Sequence, residues 1–205
     1  MTNAESFDIA GEVGTYLTAE ADLLTRLPQE PVAALVQMVI EAYESGGKLI
    51  TMGNGGHGAT ASHMVNDMGK HLFVTDDRTA FVVKDKTFRA LCLNDSWATL
   101  TAWANDMGYE SCFAGPLANW VEPNDVVLGI SASGNSPNVL KAFEVARQAG
   151  AKTVCLAGRG GGKAIEIADL VITVPSDNVL QVEDVHMTIA HLCTEVVRKY
   201  VQRNG

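Results

Sequence analysis

Five short apolar runs recur along the chain: KLITM (48–52), FRALCL (88–93), DVVLGI (125–130), KTVCLAG (152–158) and LVITVPS (170–176). They are continuous rather than alternating, as strands buried on both faces are. Around them the spacing turns helical. FDIAGEVGTYLTAEADLLTRL (7–27) has patchy helical periodicity and stops before Pro28. PVAALVQMVIEAYESGG (31–47) reads as a second helix, with Pro31 in its first turn and Gly46-Gly47 ending it. PNVLKAFEVARQAG (137–150) follows the third strand, and the last helix begins near Glu183. Strands linked by helices predict an α/β protein with a parallel sheet covered on both faces. In such sheets ligands bind beyond the carboxyl ends of the strands. Here those ends carry GNGG, NDS, SASGNS, RGGGK and DN, residues that build loops. The two leading helices precede strand one. They either cover a sheet edge or associate subunits.

Composition narrows this little. With 205 residues the chain suits one core in one domain. A net charge of −9 argues against a general nucleic-acid or anionic-membrane binder, since either needs a basic surface. It leaves room for a small anion in a local pocket. The start, MTNAESFDIA, has neither a basic segment nor an apolar stretch, so no signal peptide is expected. No apolar run approaches the roughly 20 residues of a membrane span. Cys92, Cys112, Cys155 and Cys193 are widely separated without a C-x-x-C pair, which fits a reducing cytoplasm.

Two loops are candidates for holding a phosphate. SASGNSPN offers Ser131, Ser133 and Ser136 between a strand and a helix, with Pro137 in the first helical turn and Ser136 as N-cap. Free N–H groups and the helix dipole favour an anion there, and Gly134 lets backbone approach closely. The alternative is simply a capped turn. In GNGGHG, the glycines Gly53, Gly55 and Gly56 remove side chains where a ligand would lie against backbone, and Asn54 tolerates unusual angles. This is neither a P-loop nor a dinucleotide fingerprint, and no lysine is present to hold a β/γ-phosphate. No nucleotide cofactor is expected. GRGGGK is either an anion site or a surface turn.

The chemistry-bearing groups fall in two segments. His63 and Asp67 are four apart in a segment expected to be helical, so they share a face. They would share a metal or a substrate proton, or form a surface pair. Glu183, Asp184, His186 and His191 lie on the last helix. Asp184 and His191 share a face, whereas His186 lies on another side. Glu183 and His191 are separated by about 12 Å of helical rise. Their meeting on one ligand would need leaning side chains, an irregular first turn or two subunits.

Taken together, GNGG followed by H-x3-D, SASGNSPNV and QVEDVH-x4-H resemble the sugar isomerase (SIS) domain family, and within it the phosphoheptose isomerases. The resemblance covers nearly the whole chain. It implies a three-layer α-β-α sandwich with a five-stranded parallel sheet and extra N-terminal helices. It implies one SIS domain over 1–205, with the helices within 1–46 contributing to a homotetramer whose active sites lie at subunit interfaces. The implied reaction turns sedoheptulose 7-phosphate into D-glycero-D-manno-heptose 7-phosphate, for nucleotide-heptose and surface polysaccharide. The implied phosphate and sugar contacts are Ser131, Ala132, Ser133 and Ser136, with Asn54, Gly55 and Gly56 on the facing loop and Asp95 lining the sugar site. Proton transfer maps to Asp67 and His191, with Glu183 as the alternative base. Some members bind zinc, at positions matching His63, Asp67, Glu183 and His191. Other SIS proteins are non-catalytic regulators, partners of the replication initiator, or isomerases of other phosphosugars. Three positions depart from the usual pattern: His57 replaces a serine and adds a possible cation near the phosphate, Asp67 replaces a glutamate, and Glu183 replaces a glutamine.

Overall fold

The structure, a computed structural model, describes residues 7–71 and 86–204. Five parallel strands form one sheet: β1 (Lys48–Gly53), β2 (Arg89–Cys92), β3 (Val126–Ile130), β4 (Lys152–Ala157) and β5 (Leu170–Thr173). Their order is β2-β1-β3-β4-β5. β1 thus lies between β2 and β3, and the chain leaves its carboxyl end toward one neighbour while β3 continues the other way. That reversal opens a crevice between the loops after β1 and β3.

The continuous apolar runs are explained by the two cores they fill. Successive strand residues point to opposite faces. Leu49, Leu128 and Val154 enter one core, and Ile50, Val127 and Cys155 enter the other. The first core is closed by α1 (Ile9–Thr25), α2 (Gln29–Ser45), α3 (Gly56–His71) and α8 (Val179–Asn204), which contribute Leu23, Leu35, Met64 and Ile189. The second lies under α4 (Trp97–Met107), α5 (Ala114–Leu117), α6 (Pro137–Gln148) and α7 (Ala164–Ile167), where Phe113 and Phe143 are fully buried. At the amino ends of the strands the buried Lys48 ammonium pairs with Asp125 at 3.1 Å and with Glu122. No helix among the described residues is long and apolar enough to cross a membrane. The four cysteines are buried and free.

The expected strands and the helices 7–27, 31–47 and 137–150 are present within a few residues. Two differences matter. α8 begins at Val179 rather than near Glu183, because Asn178 caps it: its Oδ1 accepts from the Leu180 N–H at 3.1 Å. Glu183 is therefore in a regular second turn. The helices between β2 and β3 carry no readable periodicity, since α4 buries none of its residues fully. Its start is set instead by Ser96, whose Oγ accepts from Thr99 N–H.

Candidate active site

The glycine turn after β1 is held from three sides. Asn94, just past β2, takes both backbone groups of Gly53: its Oδ1 accepts from the N–H at 3.1 Å and its Nδ2 donates to the carbonyl at 2.8 Å. A Cβ on Gly53 would lie 2.7 Å from the His57 backbone, and one on Gly56 would lie 2.5 Å from Glu183 Oε2. At both glycines the space a side chain would need is taken by the protein's own atoms. Gly55 differs: its φ is +56° and the space over it is open. Asn54 reaches across the crevice. It exchanges two hydrogen bonds with Asn138 of α6, at 3.0 and 2.8 Å, and its Oδ1 also accepts from the Tyr109 hydroxyl at 2.8 Å.

Across the crevice lies the serine turn after β3. Ser131 and Ser136 hydroxyls bond each other at 2.8 Å, and Ser133 lies 3.5 Å from Ser131. Ser136 stands at the expected N-cap position of α6 without a side-chain cap bond, so its hydroxyl belongs to this cluster. Ser133 is exposed, Ser136 is half-buried, and Ala132 ties the turn to β4 by accepting from Gly158 N–H. The GRGGGK segment buttresses the turn from behind. Ala164 N–H donates to the Gly134 carbonyl at 3.0 Å, and Lys163 N–H donates to Asn135 Oδ1 at 3.0 Å. Three hydroxyls therefore converge at the start of a long helix, where first-turn N–H groups favour an anion.

A second set of groups meets between α3 and α8. His63 Nε2 lies 2.9 Å from His191 Nε2 and 3.1 Å from Asp67 Oδ2, and His191 Nε2 lies 3.7 Å from that oxygen. Two imidazole nitrogens and a carboxylate oxygen facing one point suit a borderline divalent cation such as zinc. Asp95, past β2, accepts from the Ser62 hydroxyl at 2.5 Å, next to His63.

Glu183 is not part of this set. The regular helix carries it two turns away from His191, and its carboxylate rests on Gly56 with Oε1 3.7 Å from His57 Nδ1. Of the four-residue metal group expected from resemblance, three residues come together among the described residues. His57 also departs from expectation. It is turned inward and only 7% exposed, with its ring 5.3 Å from that of His186. Burial lowers its pKa, against the opposing pull of Glu183, so it is no cation for a phosphate.

His186 is fully buried, and its Nε2 donates to the Ala157 carbonyl at 3.2 Å. Burial lowers its pKa from 6.5 to about 4, the Ala157 bond raising it and His57 lowering it further. The folded state thus favours neutral imidazole. The associated stability is complete above pH 6.5 and is lost as pH falls toward 4. Urea unfolding at pH 5 is expected to show about 2 kcal/mol less stability from this group than at pH 7. His57 adds in the same direction. A His186→Gln variant unfolding with the same pH slope as the parent would reject the attribution.

Asn94, Asn138, Tyr109 and Ser62 escaped the reading from sequence. Asn138 carried a usable signal, an amide in the first turn of a helix at a position that is otherwise core. Tyr109 carried none, because no periodicity marks its segment.

A doubly wound sheet with a hydroxyl-rich turn, a facing glycine turn and an imidazole–carboxylate group defines an α/β protein with an anion-suited turn and an acid–base group at one end of its sheet. The SIS domain profile matches residues 15–158. A phosphoheptose isomerase of Geobacter sp. strain M21 is 35% identical over 95% of this chain and 98% of its own. One from Helicobacter pylori strain HPAG1 is 40% identical over 80% and 82%. The solved phosphoheptose isomerase of Francisella tularensis superposes with a TM-score of 0.83 at 26% identity, covering 94% of this chain and all of that one. The chain belongs to the SIS domain family, in its phosphoheptose isomerase group.

Proposed function

We propose that the protein is an aldose–ketose isomerase converting sedoheptulose 7-phosphate to D-glycero-D-manno-heptose 7-phosphate, toward nucleotide-heptose and surface polysaccharide. The observation that carries this reading is the hydroxyl-lined turn at the start of α6 facing a glycine turn whose helix bears His63 and Asp67. His63 lies seven residues beyond Gly56, about 10 Å along α3, the length scale of an extended seven-carbon sugar phosphate.

In this reading Ser131, Ser133 and Ser136 hold the phosphate, with Ala132 in the same turn and Asn54, Gly55 and Gly56 opposite. Anchoring the tail places C1 and C2 against the catalytic groups and removes much of the entropic barrier. A carboxylate takes a proton from the carbon beside the carbonyl and returns it to the neighbouring carbon through a cis-enediol. Asp67 or Glu183 fills that role. His191 moves the protons of the oxygens. Asp95, beside Ser62, lines the sugar site. His63, Asp67 and His191 would hold a zinc ion, with Glu183 available only by movement or from another subunit. Such an ion supplies polarisation of the carbonyl.

The same reading makes residues 1–205 one SIS domain acting in the cytoplasm as a homotetramer with sites at its interfaces. Ile9, Val13, Leu17 and Leu24 lie exposed along α1. A groove of about 490 Å³, lined by Leu27, Val32, Val36, Leu192 and Val196, continues that apolar surface and contains no titratable group. These features support assembly through the leading helices.

Incubation with sedoheptulose 7-phosphate, followed by NMR, is expected to show the aldoheptose 7-phosphate. Protein verified free of metal is expected to lose activity and regain it with zinc. Binding without conversion would instead mark a sugar-phosphate regulator, and preferred conversion of a pentose 5-phosphate another isomerase.

A further inference from the structure

The two amides that bridge the crevice do more than tie its sides together. Asn138 lies in the first turn of α6, two residues past Ser136, and is only 1% exposed. Its partners fix its orientation. A backbone N–H only donates, so the atom facing Val139 N–H at 3.1 Å is Oδ1. Nδ2 then faces Asn54 at 2.8 Å and Cys112 Sγ at 3.4 Å. The Asn54 atom receiving that bond is Oδ1, and Asn54 Nδ2 returns a bond to Asn138 Oδ1 at 3.0 Å. The Tyr109 hydroxyl lies 2.8 Å from the same Asn54 oxygen. Burial raises its pKa, so the phenol keeps its proton and is the donor.

The bonding capacity of both amides can now be counted. Asn138 uses both hydrogens of Nδ2 and both lone pairs of Oδ1. Asn54 uses both lone pairs of Oδ1 and one hydrogen of Nδ2. Among the described residues nothing accepts from its second hydrogen, and the side chain is half-buried rather than covered. Asn54 therefore offers a ligand one N–H and no acceptor. That donor sits beside the first turn of α6, the end that favours an anion. An unheld asparagine could turn its amide and present oxygen instead, which repels a phosphate.

We propose that Asn138 and Tyr109 are positioning residues for the phosphate, locking the Asn54 amide with its one free N–H toward the serine turn. The proposal rests on the phosphate site of the isomerase reading. It adds which face of Asn54 meets the ligand and what holds that face in place. Serine hydroxyls rotate to donate or accept. The locked amide only donates, so it selects an acceptor such as an ester phosphate oxygen over a group that must itself donate.

Inorganic phosphate tests this on protein carrying ¹⁵N-labelled asparagine, without turnover. The Asn54 side-chain signals are those missing from an Asn54→Ala variant. Phosphate is expected to shift one Nδ2 proton and to leave the one bonded to Asn138 in place. Shifts in neither proton, or alike in both, overturn the proposal. The kinetic arm uses Asn138→Leu, which has a similar branched shape, carries no charge and makes none of the bonds. KM for sedoheptulose 7-phosphate is expected to rise about tenfold, with kcat within about twofold. In an Asn54→Ala background the same change should cost less than about twofold further, because it acts through Asn54. Equal losses in both backgrounds, or a fall in kcat alone, mark a merely structural residue and overturn the proposal. Should Asn138→Leu fail to fold, Tyr109→Phe decides, on a residue that is 55% exposed. Losing the hydroxyl is expected to raise KM about threefold in the parent and to leave it unchanged in Asn54→Ala. Protein that shows the expected phosphate shift but converts no sugar phosphate would refute the isomerase reading and leave the lock on Asn54 standing.

Discussion

Replacing His191 by alanine is expected to lower kcat by about 10²- to 10⁴-fold, the range for a group that transfers a proton in the transition state. The imidazole is more than half exposed, with His63 and Asp67 as its polar neighbours. Stability should therefore change by no more than about 0.5 kcal/mol, as for an ordinary surface substitution. KM should change less than kcat, because the phosphate is held by serines on a different loop. The same variant loses one of three converging metal donors, so calorimetric titration with zinc is expected to show weaker binding. His191 thus differs from a structural histidine such as His186, whose loss would move the melting temperature first. A His191→Ala protein with unchanged kcat would remove this side chain from the mechanism. Unchanged zinc affinity would remove it from the donor set.

How legible the molecule was depends on what each residue answers to. The strands could be read because both faces of the sheet are covered, leaving no polar position inside runs such as DVVLGI. The serine turn could be read because Pro137 marks the helix start and Ser131, Ser133 and Ser136 cluster before it. His63 and Asp67 needed only helical spacing. The remainder depended on distance in three dimensions. Sequence spacing could not say that His57 turns inward to His186, 129 residues on, or that Gly56 exists to admit the Glu183 carboxylate. It could not say that Asn54 is spoken for by Asn138 and Tyr109. The separation of Glu183 from His191, by contrast, was legible as eight helical positions, and the regular helix started by Asn178 keeps it. Local periodicity revealed the scaffold, and the polar contacts that orient the site came from elements far apart in the chain.

Gly134→Ala is expected to be the most damaging single methyl group in the protein. Gly134 has φ +61°, and a Cβ there would lie 1.9 Å from the Gly161 carbonyl oxygen and 2.5 Å from its carbon. The left-handed backbone alone costs an alanine about 1–2 kcal/mol. The collision adds more, because its target is backbone that cannot rotate aside. Gly161 and Gly162 are themselves left-handed, at +64° and +55°, and a Cβ on Gly162 would meet the Ser133 carbonyl at 2.2 Å. Bonds from Ala164 and Lys163 pin the two turns together. The total is expected to exceed about 3 kcal/mol, placing it among the severe substitutions. For a chain of this size each kcal/mol is worth about 2–4 °C, so the melting temperature should fall by roughly 10 °C. Gly160→Ala is the control: its φ is +82° but nothing lies within 4 Å, so it bears the strain without the collision. Where protein remains folded, Gly134→Ala displaces Ser131, Ser133 and Ser136 and should raise KM for a phosphorylated sugar more than it lowers kcat. Equal melting temperatures for the two variants would show that the turns yield to each other, and an unaltered KM would show that the serine turn does not hold the phosphate.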